Sequence, residues 1–448
     1  MKYKLLLILR IRYEARRDKN LYDRKTKSIN MRIGYFVWEY PPRIVGGLGT
    51  YAANICPAIL DLGHDISVFT MNDGTLKTRE IVKGIDVNRP MLADGSNILP
   101  LFLTEDLRRW GTGIKFFNDV LIYNILSATK FVNDLIKKEG YEFDMICAHD
   151  WLSAMAGIII KQETGLPFVF HLHSTEWGRS LGGGSETVLH IEKTAADVAD
   201  RIITVSYPME EDLIRHGFEA DKIRVCWNGV RADKYDPKRL ANEDIAALRN
   251  RYGISPEERM ILFVGRLTAV KGILNLVKAM PTVVSKHPDA KLVILGKGEL
   301  ERTVSDLINR LGMGDKVKTR FEFVSEEERI LHYGAADICV APSVYEPFGI
   351  IALEAMAMEK PVVVGARGIS GFRDFVIPSG HDQTGIHVDG NNSADIAWGI
   401  NSLLDDMESA REMGKRGRRR VEKYFTWDKI AAYTIRIYED VIKEVGKK

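Results

Sequence analysis

The feature that most limits how this chain can fold is an alternation of short apolar runs, rich in β-branched residues, with longer amphipathic stretches. Beyond residue 30 the short runs predict strands and the longer stretches predict helices. This order is typical of parallel sheets, because each parallel connection needs a crossover that a helix supplies. The predicted strands are 32–38, 65–70, 143–148, 167–172, 201–205, 222–227, 260–264, 291–295, 317–321, 337–341 and 361–364.

The strand pattern stops near residue 230 and restarts at 260, which favours two doubly wound units over one large sheet. The charged, helix-like segment 237–252 lacks a strong apolar stripe and is predicted to be the linker. Less regular spacing over 76–103 indicates a β-rich insertion. The predicted organisation is a basic extension (1–30), a first α/β domain (31–236), a second α/β domain (237–425) and a C-terminal helix (426–448).

The C-terminal helix is predicted from apolar residues at three- and four-residue steps, including Ile430, Ile437 and Val441, after Thr426 as the expected N-cap. Such a stripe needs another surface to cover.

The net charge of +2 is the sum of two unlike parts. Residues 1–30 contain ten basic and three acidic residues, whereas residues 31–448 contain 53 basic and 58 acidic residues. A mildly acidic body gives no support to nucleic-acid binding. We expect residues 1–30 to be a flexible extension or to reflect a misassigned start, in preference to a functional basic arm.

Neither membrane insertion nor secretion is indicated. No apolar run approaches the ~18 residues of a membrane span. The apolar run 5–9 is shorter than a signal-peptide core, and no small-residue cleavage site follows it. Four widely spaced cysteines form no C-x-x-C pair, so we expect buried, unpaired thiols. These features predict a cytoplasmic protein with no integral membrane association.

A glycine loop follows the first predicted strand. Gly46 and Gly47 precede a predicted helix, where backbone N–H groups and the helix dipole can approach an anion. Residues 47–52 also fit G-x-G-x-x-A, so an NAD-dependent oxidoreductase is the alternative from a different class. Eight residues separate strand and glycines, which disfavours that alternative because a dinucleotide fold turns almost at once. A purely structural loop is the remaining reading.

Histidines follow two other predicted strands of the first half. Strand 143–148 ends in His149 and Asp150, and the next contains His171 and is followed by His173. Such groups can bind hydroxyls or stabilise charge. His171 and His173 share a face by alternation, so spacing does not choose between them, and we expect one to be structural. For His149 and Asp150, helix capping and packing is the alternative, and a histidine metal site lacks a convincing set of carboxylate partners.

Two cations lie in a strand-to-helix loop of the second half. Arg266 and Lys271 follow the strand 260–264, and Lys271 lies near the start of the next helix, where the macrodipole disfavours a cation. An anion bound between the two side chains would remove that conflict. A solvated loop with two charges is the alternative.

Two glutamates flank a Pro-Phe-Gly turn after the strand 337–341. Glu354 falls about two turns inside the helix that the turn opens. The Gly349 and Ile350 amides would be free donors at that helix start. Glu346 and Glu354 would then accept hydrogen bonds from hydroxyl groups on either side of a bound phosphate.

Taken together, these sequence motifs resemble those of retaining GT-B glycosyltransferases of the glycogen and starch synthase type and their GT4-like relatives. The E-x7-E motif of that family resembles 346–354, and its second signature resembles 265–272. Its glycine loop matches 46–48, and further motifs match 149–151, 169–173 and 227–230 in the expected order. The resemblance covers residue 31 to the end and implies two facing Rossmann-like doubly wound domains, an active site in the interdomain cleft, and a C-terminal helix that crosses back to the first domain.

The resemblance also implies roles for individual residues. Arg266 and Lys271 would neutralise the departing nucleotide diphosphate, which is electrostatic stabilisation of developing charge. Gly349 and Ile350 would bind the distal phosphate, Glu354 the ribose and Glu346 the transferred sugar. His173 would contact that sugar near the reacting carbon, with Asn228 nearby. The remaining expected donor contacts are Gly46, Gly47 and Phe348, and the expected substrate contacts are His149, Asp150 and Arg43.

No cofactor or metal is expected, since the family works without one and the chain has no D-x-D motif. The donor would be an ADP-, UDP- or GDP-sugar. No carboxylate is obviously placed as a nucleophile, so the choice between a covalent and a front-face mechanism stays open. A homo-oligomer is possible from the sequence.

One departure from the pattern concerns the acceptor. Glycogen synthases carry a lysine two residues before the glycine pair, where this chain has Ile44, with Arg43 one step earlier. The leading prediction is transfer of a sugar, glucose by preference, to the non-reducing end of an α-1,4-glucan. A GT4-type transferase acting on a sugar phosphate, a lipid-linked glycan or a cell-surface glycan is the alternative, and a non-catalytic sugar-nucleotide-binding protein is the third.

Overall fold

The computed structural model describes residues 30–97, 99 and 104–446. The predicted basic extension therefore lies outside the described residues, apart from Asn30. The described chain forms two sheets in sequence order. The first has eight strands in the spatial order β3-β4-β2-β1-β5-β6-β7-β8. Its strands are β1 (Arg32–Phe36), β2 (Asp65–Phe69), β3 (Arg79–Val82), β4 (Ile85–Asn88), β5 (Met145–His149), β6 (Phe168–Leu172), β7 (Arg201–Thr204) and β8 (Ile223–Val225).

Helices connect these strands and cover the sheet. They are α1 (Gly47–Asp61), α2 (Glu105–Arg108), α3 (Ile114–Thr129), continued by a π-helix (Lys130–Lys138), then α4 (Asp150–Thr164), α5 (Glu176–Arg179), α6 (Glu186–Val198) and α7 (Tyr207–Arg215).

The second sheet has six parallel strands in the order β11-β10-β9-β12-β13-β14. They are β9 (Arg259–Val264), β10 (Ala290–Leu295), β11 (Val317–Arg320), β12 (Ile338–Ala341), β13 (Val362–Gly365) and β14 (Gly385–Val388). The associated helices are α8 (Asn242–Arg251), α9 (Ile273–Lys286), α10 (Glu301–Arg310), α11 (Glu326–Ala335), α12 (Ile350–Ala357), α13 (Phe372–Phe375), α14 (Ser393–Leu404), α15 (Met407–Tyr424) and α16 (Trp427–Val445).

The predicted fold class is confirmed, because both sheets are parallel except for the edge strand β3. Central strands such as β5, β6 and β12 are buried along their whole length, as expected of strands covered on both faces. The β-rich insertion contains the hairpin β3–β4, whose second strand pairs in parallel with β2. Strand β14 is absent from the prediction.

The segment predicted as a free linker is a helix that packs on the second sheet's domain. Leu248 of α8 is buried, and α8 lies against α11. The Arg249 guanidinium donates to the Ala335 carbonyl at 2.9 Å and pairs with Asp337. One buried leucine is a weak apolar stripe, which explains why the sequence pattern indicated a linker.

The C-terminal helix α16 returns to the first sheet and packs on α1. The chain thus crosses between the two sheets twice, once after β8 and once before α16. The two crossings touch, since the Val230 N–H donates to the Phe425 carbonyl at 2.8 Å.

A partly buried carboxylate also joins the two halves. Asp374 on α13 accepts hydrogen bonds at 3.0 Å from the Tyr207 backbone N–H and from the Trp227 indole N–H. Burial raises the pKa of Asp374 to about 7, and Glu211 adds to the rise, although both hydrogen bonds and Arg373 oppose it.

This carboxylate should make stability depend on pH. The pKa of Asp374 is higher in the folded protein than its ordinary value of 3.8, so between about pH 4 and 7 the folded state binds more protons than the unfolded state. The contribution of Asp374 to the free energy of unfolding should therefore fall as pH rises through that range. Asp374→Asn keeps an oxygen acceptor but does not titrate, so its slope of unfolding free energy against pH should be more positive than that of the wild type by up to about 1.4 kcal/mol per pH unit.

Urea unfolding at a series of pH values measures that slope in both proteins. Burial also raises the pKa of Glu192, to about 8, but that group is present in both proteins and cancels in the comparison. Identical slopes in the two proteins would contradict the assignment.

Among the described residues no helix combines the length and the apolar character needed to cross a membrane. The four cysteines are buried and unpaired, as predicted.

Candidate active site

A glycine allows the loop after β9 to approach the loop after β12 closely. Gly272 has φ +67°, and a Cβ there would lie 2.1 Å from the Pro342 carbonyl oxygen. Only glycine accepts both the left-handed backbone and this close approach. Lys271 is consequently held beside the 343–349 loop.

Lys271 and Glu346 form an ion pair in this position. The Lys271 Nζ lies 2.5 Å from Glu346 Oε2, and the Ser343 hydroxyl donates to the same oxygen at 3.0 Å. The side chains of the pair are only 18% and 8% exposed. The sequence suggested that a bound anion would relieve the unfavourable position of Lys271. Without a ligand, the Glu346 carboxylate supplies that negative charge.

The α12 helix begins at a second essential glycine. Gly349 has φ +102°, and a Cβ there would lie 2.0 Å from the Phe372 ring. The amides at the start of this eight-residue helix have no intrahelical acceptor, so they can face an anion. Ile350, the first residue of α12, is partly exposed. The side chain of Phe348, an expected donor contact, is 2% exposed and packs on Phe375 at a ring distance of 5.1 Å.

Glu354 lies within a cage of three donor side chains, Tyr235 from the loop after β8 and Arg329 and Tyr333 from α11. Its carboxylate accepts from the Tyr235 hydroxyl at 2.8 Å and the Tyr333 hydroxyl at 2.9 Å, and both its oxygens lie 3.2 Å from the Arg329 guanidinium. Glu354 is 4% exposed. The predicted ribose ligand is thus already held by the protein itself, and a ribose would add to this arrangement or replace part of it.

Arg266 differs from Lys271 in having no side-chain partner in the described part of the chain. Its side chain is exposed and forms no ion pair or side-chain hydrogen bond with any residue that the structure describes. A free guanidinium and a paired ammonium therefore follow the same strand, five positions apart in the chain.

Three imidazoles lie together at the carboxyl ends of β5 and β6. His149 Nδ1 is 3.0 Å from His173 Nε2, and His171 Nε2 is 2.9 Å from the Tyr438 hydroxyl on α16. Burial lowers the pKa of all three rings, and neighbouring imidazoles lower those of His149 and His171 further. His171 is therefore the structural member of the pair left open by the sequence, and His173 is the partly exposed one.

Two further expected substrate contacts are buried in the structure. His149 is 0% exposed and lies behind His173, to which its Nδ1 is hydrogen-bonded. Asp150 has φ +54° and is also buried, and its Oδ1 accepts from the N–H groups of His173 at 2.7 Å and Ser174 at 3.3 Å. A strained backbone at such a place is common in functional sites. Both residues shape the position of His173.

The same three imidazoles are the one group of histidine, cysteine and acidic side chains in the described part of the chain whose ligand atoms are close enough to hold a metal ion, within 4.8 Å of one another. Each ring already has a hydrogen-bond partner, and no carboxylate belongs to the group. A hydrogen bond links His149 to His173, and the register of β5 and β6 places His171 beside His149.

The glycine loop contains its own carboxylate. Glu39 Oε2 accepts from the N–H groups of Val45 and Gly46, both at 2.9 Å. A Cβ on Gly46 or Gly47 would meet nothing within 4 Å, so space is open on that side. Gly47 begins α1 with residues 37–46 between it and β1, which excludes the tight turn of an NAD fingerprint. The oxidoreductase hypothesis is wrong on this geometry.

Two further expected residues stand apart. Arg43 is 47% exposed and pairs with Asp73 at 2.8 Å, so the structure shows it with neither the histidines nor the Lys271 pair. Asn228 is buried, and its Oδ1 has no partner among the described residues. An unpaired buried amide oxygen is costly, so it is available to a ligand.

A hydrogen bond brings the two halves of the site together. The Thr175 N–H donates to the Tyr345 hydroxyl at 3.2 Å. Thr175 lies two residues after His173, and Tyr345 directly precedes Glu346. The edge of the first sheet that carries His173 therefore faces the edge of the second sheet that carries Glu346.

Sequence reasoning missed several residues of the site. Ser343 lies between the predicted strand 337–341 and the motif 346–354, so its position three residues before Glu346 is a usable signal. Glu39, Tyr235, Arg329 and Tyr333 act through contacts between distant segments, and no pattern in the chain marks them.

Comparisons with known proteins agree with this geometry. A model of glycosyltransferase family 4 matches residues 45–234, and a model of the glycosyl transferases group 1 matches residues 244–420. The two matches correspond to the parts of the chain that contain the first and the second sheet.

Whole-chain relatives extend the match. An uncharacterised glycosyltransferase of Methanocaldococcus jannaschii is 33% identical, over 93% of this chain and 100% of the relative. A glycogen synthase of Mycobacterium tuberculosis is 30% identical, over 91% and 94%. The solved sucrose-phosphate synthase of Thermosynechococcus elongatus has 26% identity and a TM-score of 0.74, over 93% and 100%. The chain therefore belongs to the GT-B glycosyltransferases of the glycogen and starch synthase-like group and is a nucleotide-sugar-dependent enzyme.

Proposed function

We propose that this glycosyltransferase transfers glucose from a nucleoside diphosphate glucose to the non-reducing end of an α-1,4-glucan, with retention of configuration. The observation that carries the donor side is the Lys271–Glu346 pair beside the start of α12. A cation, a sugar-binding carboxylate and free helix amides at one place suit a sugar diphosphate.

In this proposal each residue of the pair exchanges its partner when the donor binds. Lys271 moves from Glu346 to the diphosphate, and Arg266, which has no partner in the described chain, joins it there. Glu346 is then free to accept hydrogen bonds from sugar hydroxyls. Glu354 binds the ribose, while Gly349 and Ile350 bind the distal phosphate.

The first domain contributes His173, Asn228 and the glycine loop to the site. His173 and Asn228 contact the transferred sugar, and Gly46 and Gly47 leave open space for that sugar. The glucan acceptor is supported by the similarity to a glycogen synthase over nearly the full length of both chains.

A sugar phosphate is the second candidate acceptor. Arg43 gives the specific support, because it is a half-exposed cation in the glycine loop, one position before Ile44, where glycogen synthases carry a lysine. The similarity to a sucrose-phosphate synthase favours the same class.

A matrix of substrates tests the proposal. ADP-, UDP- and GDP-glucose are each offered with glycogen, maltooligosaccharides, glucose 1-phosphate or no acceptor, and nucleotide release and product size are measured. Elongation of the maltooligosaccharides is the expected result. Turnover only with the sugar phosphate would replace the glucan proposal, and no turnover with any donor would refute the donor site.

Turnover should not depend on a divalent metal. The proposed charge stabilisation comes from Arg266 and Lys271, so exhaustive dialysis against EDTA should leave the initial rate within about twofold of the untreated enzyme. A loss that Mg²⁺, Mn²⁺ or Zn²⁺ restores would show that a metal takes part.

A further inference from the structure

The hydrogen bonds behind His173 define which ring nitrogen it can present to the cleft. His173 Nε2 faces His149 Nδ1 at 3.0 Å. The other ring nitrogen of His149, Nε2, lies 3.7 Å from the Cys147 sulfur. His149 is fully buried. His173 and Cys147, whose sulfur also interacts with the Tyr438 hydroxyl, are the described groups within hydrogen-bond distance of its two ring nitrogens.

The Cys147 thiol decides the direction of the hydrogen bonds. Burial raises the pKa of Cys147 to about 12, so the sulfur carries its proton. An S–H group is a weak donor and its sulfur a weak acceptor, whereas a neutral imidazole nitrogen accepts well. The favoured arrangement is S–H donation to His149 Nε2, and a neutral His149 then carries its proton on Nδ1.

That proton points at His173. Because His149 Nδ1–H donates, His173 Nε2 must accept, and a neutral His173 then carries its own proton on Nδ1. Neighbouring rings also restrict rotation of the two imidazoles, which would exchange their ring nitrogens. The Tyr51 ring lies 4.5 Å from the His173 ring, edge to face, and the His171 ring lies 4.4 Å from the His149 ring.

We propose that His149 is a positioning residue that holds His173 in the Nδ1–H tautomer, so that His173 presents a hydrogen-bond donor to an oxygen of the transferred sugar. The inference rests on the proposed contact between His173 and that sugar. It gives His173 the role of a donor that fixes or polarises a sugar oxygen, and excludes its action as a base at Nδ1.

Nitrogen-15 NMR of histidine-labelled wild-type protein reads the tautomer directly. We expect the His173 signals to show a protonated Nδ1 and an unprotonated Nε2, assigned by their loss in His173→Gln. A protonated Nε2 with a bare Nδ1 would overturn the proposal, and this measurement does not depend on how any His149 variant folds.

Kinetics of two variants test the consequence. His149→Ala should lower kcat about a hundredfold with little change in the donor KM, because His173 loses its orientation. His149→Asn should retain much more activity, since its amide N–H can replace Nδ1–H. His381→Asn is the matched control, because His381 is fully exposed on the surface.

The outcomes separate this inference from the proposed function. If His173→Ala keeps wild-type turnover, the proposed sugar contact itself fails. If His173→Ala is inactive while His149→Ala keeps wild-type kcat, only the positioning role fails. Equal losses in His149→Ala and His149→Asn, with the wild-type tautomer unchanged in both by NMR, would also overturn it.

Discussion

Replacing Lys271 with alanine should lower kcat by about a hundred- to a thousandfold, the usual cost of removing one charge-stabilising group from an active site. The reason is twofold. The departing diphosphate loses a cation, and Glu346, whose side chain is 8% exposed, loses the partner that holds it. Lys271→Arg keeps a cation and should recover part of the loss.

Nucleotide release in the presence of donor and acceptor measures this effect. Lys278→Ala is the matched control, because Lys278 is an exposed lysine on α9, the helix that follows Lys271 in the chain. Circular dichroism establishes that both variants are folded. A Lys271→Ala enzyme whose kcat stays within about threefold of wild type would remove Lys271 from the site.

The largest effect on stability is expected at Glu354. Glu354→Ala removes the acceptor shared by Tyr235, Tyr333 and Arg329, and leaves the largely buried guanidinium of Arg329 without its counter-charge. Breaking a buried ion pair in this way costs about 3–5 kcal/mol of unfolding free energy. Glu354→Gln keeps one oxygen acceptor and should cost less.

Urea unfolding separates the structural role of Glu354 from its proposed ribose contact. The double variant Glu354→Leu with Arg329→Leu removes both charges and should recover a large part of the lost stability. It should not recover donor binding, which is measured as the donor KM. A loss below about 1 kcal/mol in Glu354→Ala would show that the cage contributes little.

The parallel α/β architecture could be predicted because strands buried on both faces are apolar along their length, as β5 and β6 are. Strand β14 was missed because it has only four residues, Gly-Ile-His-Val, at the edge of its sheet. Helix α8 was read as a linker because it buries little beyond Leu248.

Some residues of the candidate site are close together in the chain and could be predicted, whereas others are brought together from distant segments. Glu346 and Gly349 share one short string, so their proximity follows from a turn and a helix start. Position at a strand end predicted that His149 is near the site, but the choice between facing a substrate and facing Cys147 depends on packing across the sheet. The cage around Glu354 unites three distant segments, which local pattern cannot show.

The two crossings between the sheets meet at the hydrogen bond from Val230 to Phe425. Both passages of the chain from one sheet to the other lie at this point, so any rotation of one sheet relative to the other has to change the backbone near Val230 and Phe425. The Thr175–Tyr345 and Asp374 hydrogen bonds lie in other loops, and must lengthen or break as the rotation grows.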